Sequence, residues 1–226
     1  MNQTETPNDT DLSIQRDVQD ELAWDGHVRP GEIGVAVNDG IVTLAGTVES
    51  YLARVAAQDA AHRVRGVRAV ANEIEVQVPA FESRTDEDLA RAAVEALLWD
   101  AAIPNDMIDV SVSDGWVTLT GEADWPVQRD SAERAVHRLS GLRGVSNQIT
   151  VKSHPVPSDV RKQIERALTR SAEVDANRIQ IEVAGTVAIL KGTVRSYIEK
   201  RAAEHSALLA PGITAVENDI EIDPWL

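Results

Sequence analysis

The chain has 226 residues, 43% hydrophobic but only 4% aromatic, with a net charge of −15. The lack of cysteine excludes disulfides, thiolate metal sites and cysteine nucleophiles. The acidic balance argues against nucleic acid as a partner and weakens long-range attraction to anionic lipid.

Residues 1–10 are polar, contain Pro7 and show no periodicity, which predicts a disordered tail. They have neither the basic nor the apolar region of a secretory signal, and no apolar run is long enough to span a bilayer. The expected location is the cytoplasm, or the periplasm if a leader has been removed.

From residue 11 one pattern runs three times. Ile14, Val18 and Leu22 step by four and form one stripe of a helix. Leu89, Ala93 and Leu97 repeat it, as do Val160, Ile164 and Leu168. Asp11, Asp86 and Ser158 stand ahead of these stripes as N-cap region residues. An alternating strand follows: Ile33, Val35, Val37; then Ile108, Val110, Val112; then Ile179, Ile181, Val183. Asp39-Gly40 and Asp114-Gly115 suit type I′ hairpins, and Gly185-Thr186 suits type II′.

The returning strand holds the clearest signature. Ile41–Val48, Trp116–Ala123 and Val187–Val194 each contain Leu-x-Gly, at Gly46, Gly121 and Gly192. An Asn follows each Gly by 26 residues, at Asn72, Asn147 and Asn218. Fixed spacings in triplicate define an internal repeat. An alanine-rich helix comes next, over about Tyr51–Val64, Pro126–Leu139 and Tyr197–Leu209, with Ser50 and Ser196 as N-caps. Gly66, Gly141 and Gly212 are expected as C-cap glycines. A last strand carries Val70, Ile74 and Val76, and its counterparts in the other copies.

The reading is α+β: three tandem αββαβ domains at 11–78, 85–151 and 157–222. Each is a small three-stranded mixed sheet with two helices on one face. The crossover leaves the second and third strands parallel if they share a sheet. Residues 79–84 and 152–156 are linkers, and 223–226 a tail. By domain the net charges are −5, −7 and −1.

The pattern Gly-x-Val-x-Leu-x-Gly-x-Val, an alanine-rich helix, then Gly-Val-x-x-Val-x-Asn-x-Ile resembles the BON domain (bacterial OsmY and nodulation domain). Gly40, Val42, Leu44, Gly46, Val48, Gly66, Val67, Val70, Asn72 and Ile74 carry it in the first copy. The third copy departs at Thr186, where the hairpin glycine has moved one place earlier. The resemblance implies a non-catalytic protein that associates with phospholipid surfaces or envelope components in osmotic or other stress. No cofactor is expected.

The glycines after the central strand read as close packing against the second helix rather than a phosphate loop. The Asn residues read as buried amides bonded to backbone near a strand start. The five histidines show no ligand spacing and read as solvated. Two sets of residues remain as candidate sites. Lys162, Arg166 and Arg170 recur every four residues beside the buried stripe, and Arg195, Lys200 and Arg201 add bases at the next helix. They are candidates for contact with an anionic, peripheral membrane surface. Ile41, Trp116 and Val187 share the sheet face that the helices leave open, and Trp125 starts a helix. These are candidates for a domain or partner interface. The alternative function is a cytoplasmic scaffold for protein interaction or self-association, including a homo-oligomer, through those faces.

Overall fold

The computed structural model describes residues 9–103 and 107–226. Most of the expected N-terminal tail lies outside the described residues. In chain order the elements are α1 (Asp9–Trp24), β1 (Ile33–Asn38), β2 (Ile41–Val48), α2 (Tyr51–Arg63) and β3 (Ala69–Val76). The second repeat gives α3 (Asp86–Trp99), β4 (Ile108–Ser113), β5 (Trp116–Ala123), α4 (Pro126–Val136), β6 (Gly144–Asn147) and β7 (Thr150–Val151). The third gives α5 (Val160–Arg170), β8 (Ile179–Ala184), β9 (Val187–Val194), α6 (Tyr197–Leu208) and β10 (Ala215–Ile222). The fold is therefore α+β, three αββαβ repeats in tandem. Helix α1 begins at Asp9, two residues inside the stretch expected to be disordered.

The returning strand is central in every sheet, in the orders β1-β2-β3, β4-β5-β6 and β10-β9-β8. β1 and β2 are antiparallel, whereas β2 and β3 are parallel, as the helical crossover requires. In the second repeat the third strand is interrupted: β6 and β7 both run parallel to β5, with a gap at 148–149.

The helical stripes are buried as their spacing predicts, against Val42, Leu44 and Val48 and their counterparts. The cores are aliphatic, so stability comes from burying many medium-sized side chains. The turns also follow their residues. Asp39 and Gly40 both have positive φ, at 50° and 73°, as type I′ demands; in the third hairpin Gly185 does, at 60°, and Thr186 does not.

Three local expectations are corrected. Asp11 and Asp86 are not N-caps. Asp11 is 4% exposed and its carboxylate accepts from the Asp39 and Gly40 amides at 3.1 and 3.0 Å. Asp86 does the same for Asp114 and Gly115, both at 2.9 Å, while Thr85 caps α3. Each Asp ties its helix to the tip of the hairpin that packs beneath it. Ser158 is no cap either, since α5 starts after Asp159 without a side-chain cap. Second, Gly46, Gly121 and Gly192 are tight, but not against the second helix. Their φ values are 140°, 122° and 136°, and a Cβ would collide with the carbonyl oxygens of Glu32, Met107 and Arg178. The constraint is backbone on backbone, where the first strand begins. Third, Gly66, Gly141 and Gly212 stand in the turn before the third strand, beyond the helix ends.

The chain packs as two compact units. One holds the first repeat up to Gln77 with the short segments Arg195–Ile198 and Ile222–Leu226; the other holds Val78–Val194 and Glu199–Glu221. In the first unit Tyr197 stacks on the buried His62 at 3.6 Å. Arg65 there donates to the Pro224 carbonyl at 3.4 Å and lies 6.0 Å from the Trp225 ring.

Candidate functional site

Asn72, Asn147 and Asn218 build the same bridge three times. Each amide donates to a carbonyl of the second helix (Arg54, Arg129 or Lys200) and to the side chain one turn on (Gln58, Glu133 or Glu204). Each Asn oxygen accepts from the amide two residues ahead. The Asn residues are half-buried; Asn72 and Asn218 lie inside their strands and Asn147 ends β6, so none stands at a strand start. They fasten the second helix to the third strand, and that role is structural.

The histidines are not uniformly solvated. His27 and His205 are exposed, but His62 is buried, and His137 reaches Glu133 at 3.3 Å. That contact to His137, joined by Asn147, outweighs burial and holds the Glu133 carboxyl below its usual range. His154 stacks on Trp125 at 4.8 Å and bonds the Asp124 carbonyl. Among the described residues no three His, Asp or Glu side chains are grouped to hold a metal ion.

Of the six candidate cations, Lys162, Arg166 and Arg170 come together. They are exposed along α5, and none pairs with a carboxylate among the described residues. The other three do not extend that row. Lys200 is half-buried and donates to the Ile220 carbonyl at 2.7 Å. Arg195 belongs to the compact unit of the first repeat, and both it and Arg201 are engaged with neighbours.

On the open sheet faces Ile41 and Trp116 are half-exposed and Val187 is partly buried. Trp116 lies across Gly144, where a Cβ would meet its ring, and donates to Ser146 at 2.9 Å. Trp125 precedes Pro126, and the Gln128 side chain accepts from the Asp124 and Trp125 amides. Both tryptophans therefore have neighbours within their own repeat or linker.

The most exposed indoles lie elsewhere. Trp24 and Trp99 occupy the same place at the end of the first helix and are 86% and 88% exposed, and the third repeat has Arg170 there. Beside Trp99 a shallow groove of about 490 Å³ is lined by Ala96, Trp99, Asp100, Arg134 and Arg138, among others. Its origin is visible in the first repeat. There Arg63, the counterpart of Arg138, bridges Glu21 at 2.6 Å and Asp25 at 3.0 Å. Burial pushes the Asp25 carboxyl up, but bonds from the His27 amide, Arg63 and the His27 ring together outweigh it and hold the carboxyl below its usual range. In the second repeat Ala96 stands in place of Glu21. Arg138 then pairs with no carboxylate within 4 Å among the described residues, and Arg134 bonds Ser131. Sequence reasoning passed over this groove. Its signal was the loss of one acid, Glu21 to Ala96, opposite a retained arginine.

The three repeats match the BON domain profile, at residues 10–78, 85–153 and 158–224. The chain belongs to the BON domain family. This BON protein is similar to osmotically-inducible protein Y of Escherichia coli K12, at 27% identity over 146 residues, covering 63% of this chain and 73% of the relative. It is 32% identical over 99 residues to an uncharacterised protein in the gshII 5′ region of Anaplasma centrale, covering 41% of this chain and 66% of that one. Among solved structures, CdsD, a structural protein of the type III secretion system of Chlamydia trachomatis, aligns over 93% of this chain and 92% of its own, at 16% identity and a TM-score of 0.26. Among the described residues of this BON protein, no helix is long and apolar enough to cross a membrane.

Proposed function

We propose that this BON protein is a non-catalytic module that associates peripherally with phospholipid surfaces, in a stress response akin to the osmotic induction in its relative's name. The observation that carries the reading is the groove of the second repeat. An indole that is almost wholly exposed stands beside Arg134 and beside Arg138, whose acid partner in the first repeat, Glu21, is replaced here by Ala96. Indoles favour the boundary between headgroups and acyl chains. A guanidinium released from its carboxylate is matched to a phosphate. The α5 row of Lys162, Arg166 and Arg170 supplies a second set of phosphate contacts, each adding roughly 1 kcal/mol near an anionic surface. The net charge of −15 opposes long-range attraction, so binding rests on short-range contacts and on avidity among the modules.

The test is co-sedimentation of the full chain with phosphatidylglycerol-containing and with pure phosphatidylcholine vesicles, at low and physiological salt. The expected outcome is salt-sensitive binding to the anionic vesicles with a blue shift of tryptophan emission. Trp99→Ala with Arg138→Ala abolishes the shift, and reversing Lys162, Arg166 and Arg170 to Glu lowers the bound fraction. No binding in either salt would overturn the reading. The second reading is a scaffold for a protein partner or a second copy, resting on the half-exposed Ile41 and Trp116 of the open sheet faces.

A further inference from the structure

β4 pairs with β5 on one side and with no other strand among the described residues. The tight turn makes Ser113 and Trp116 a hydrogen-bonded pair, and the bond from the Glu122 amide to the Met107 carbonyl keeps the same alternation. Ile108, Val110 and Val112 therefore direct their amides and carbonyls outward along the free edge. Their side chains turn toward α3.

The first repeat closes the equivalent edge. Gln15 on α1 donates to the Val35 carbonyl at 2.7 Å, and Ile33, Val35 and Val37 are buried. The second repeat has Ala90 in place of Gln15, and Ile108, Val110 and Val112 are only half-buried. Further along the same side of α3 stand Val94 and Leu98, 45% and 57% exposed. The first repeat has Gln19 and Ala23 there, and the third has Glu165 and Thr169. In the third repeat Arg161 takes the place of Ala90 and pairs with Glu165 at 3.6 Å. The second repeat alone thus combines a short side chain over the edge with an apolar strip beside it.

We infer that β4 and the Val94–Leu98 side of α3 form a docking groove for an extended, basic and apolar peptide segment, which adds to the sheet as a fourth strand. An added strand supplies partners for the outward amides and carbonyls, and its alternate apolar side chains cover Val94, Leu98 and Val110. Charge selects the occupant. Asp109 is exposed on β4 itself, on the sheet face opposite Val110, Glu95 is exposed next to Val94 on α3, and Asp86 and Asp114 meet at the hairpin end. The nearby Arg91 is already paired with Glu87 and Asp88. A second copy would bring these acids against their own kind. The N-terminal residues 1–8 are polar, include Glu5 and lack apolar alternation, so they do not match either. This groove is separate from the Trp99–Arg138 groove, which faces α4 on the other side of α3.

The test uses the full chain and a fluorescent peptide of alternating lysine and valine, read by anisotropy, with amide shifts followed by NMR. The expected result is saturable binding with shifts centred on Val110 and Val112, and no binding of the matching glutamate–valine peptide. Ala90→Gln, which installs the first repeat's own blocking residue, weakens binding by about tenfold or more, and Leu98→Glu does so independently. Absence of saturable binding by the lysine–valine peptide overturns the proposal, as does equal binding to Ala90→Gln. Sedimentation showing a dimer that Ala90→Gln dissolves would assign the edge to a second copy and overturn the peptide.

Discussion

The first and second repeats share a frame and differ in how completely it is closed. In the first, Arg63 bridges Glu21 and Asp25, Gln15 covers the edge of β1, and β3 runs unbroken over Ala69–Val76. In the second, Ala96 and Ala90 replace Glu21 and Gln15, and the third strand is split into β6 and β7. Two side chains cut back to alanine leave one groove on each side of α3. The comparison teaches that the repeated motif fixes topology, while positions outside it decide which repeat keeps an open surface.

The largest expected effect tests the shared frame. Gly46→Ala and Gly121→Ala should each cost about 3 kcal/mol or more in urea unfolding, because the new Cβ meets backbone at positive φ. A mild effect in one repeat alone would break the claim that both obey one constraint. Next is the carboxylate at the hairpin tip. Asp11→Ala should cost about 2–3 kcal/mol, since it strands two amides in a buried site, and the exposed Asp86→Ala about 1 kcal/mol. Equal losses would show that burial does not separate the two repeats.

Ala96→Glu restores the first repeat's ion pair in the second. It should raise stability by about 0.5 kcal/mol and remove the vesicle-dependent fluorescence shift, because Arg138 is then occupied. Persistence of the shift would detach lipid binding from this groove. The smallest effect concerns Glu133, whose counterpart in the first repeat is Gln58. Its carboxyl is lowered, so its contribution to stability is present above the ordinary unfolded value and lost as pH falls through the lowered one. Glu133→Gln should flatten this acid-side dependence by less than about 1 kcal/mol, given a carboxylate that is more than a third exposed. An unchanged acid titration would remove Glu133 from the account.

Local patterns made most of the frame legible. Steps of four in Ile14, Val18 and Leu22, alternation in Ile33, Val35 and Val37, and Asp-Gly turns are each set by neighbours a few residues away. So were the repeat, the family and the parallel pairing of the second and third strands. Some roles needed side chains far apart in sequence. Asp11 was legible as a helix-start acid, but its hairpin partners lie nearly 30 residues away. The Leu-x-Gly glycine was legible as close packing, but only the fold showed that a carbonyl opposes it. The six candidate cations shared a sign, and the structure divided them by burial and partners.

The sequence by itself determined the number of repeats, the order and type of their elements and the hairpin turns. It did so because periodicity and turn chemistry act over a few residues. Only the tertiary structure decided that the returning strand is central, that Asn72 and its siblings bolt helix to strand, and that His62 is covered by Tyr197. The same holds for the two faces of α3 left open by Ala90 and Ala96. Those outcomes depend on which distant side chains meet, and a missing partner is visible only beside the residue it would have joined.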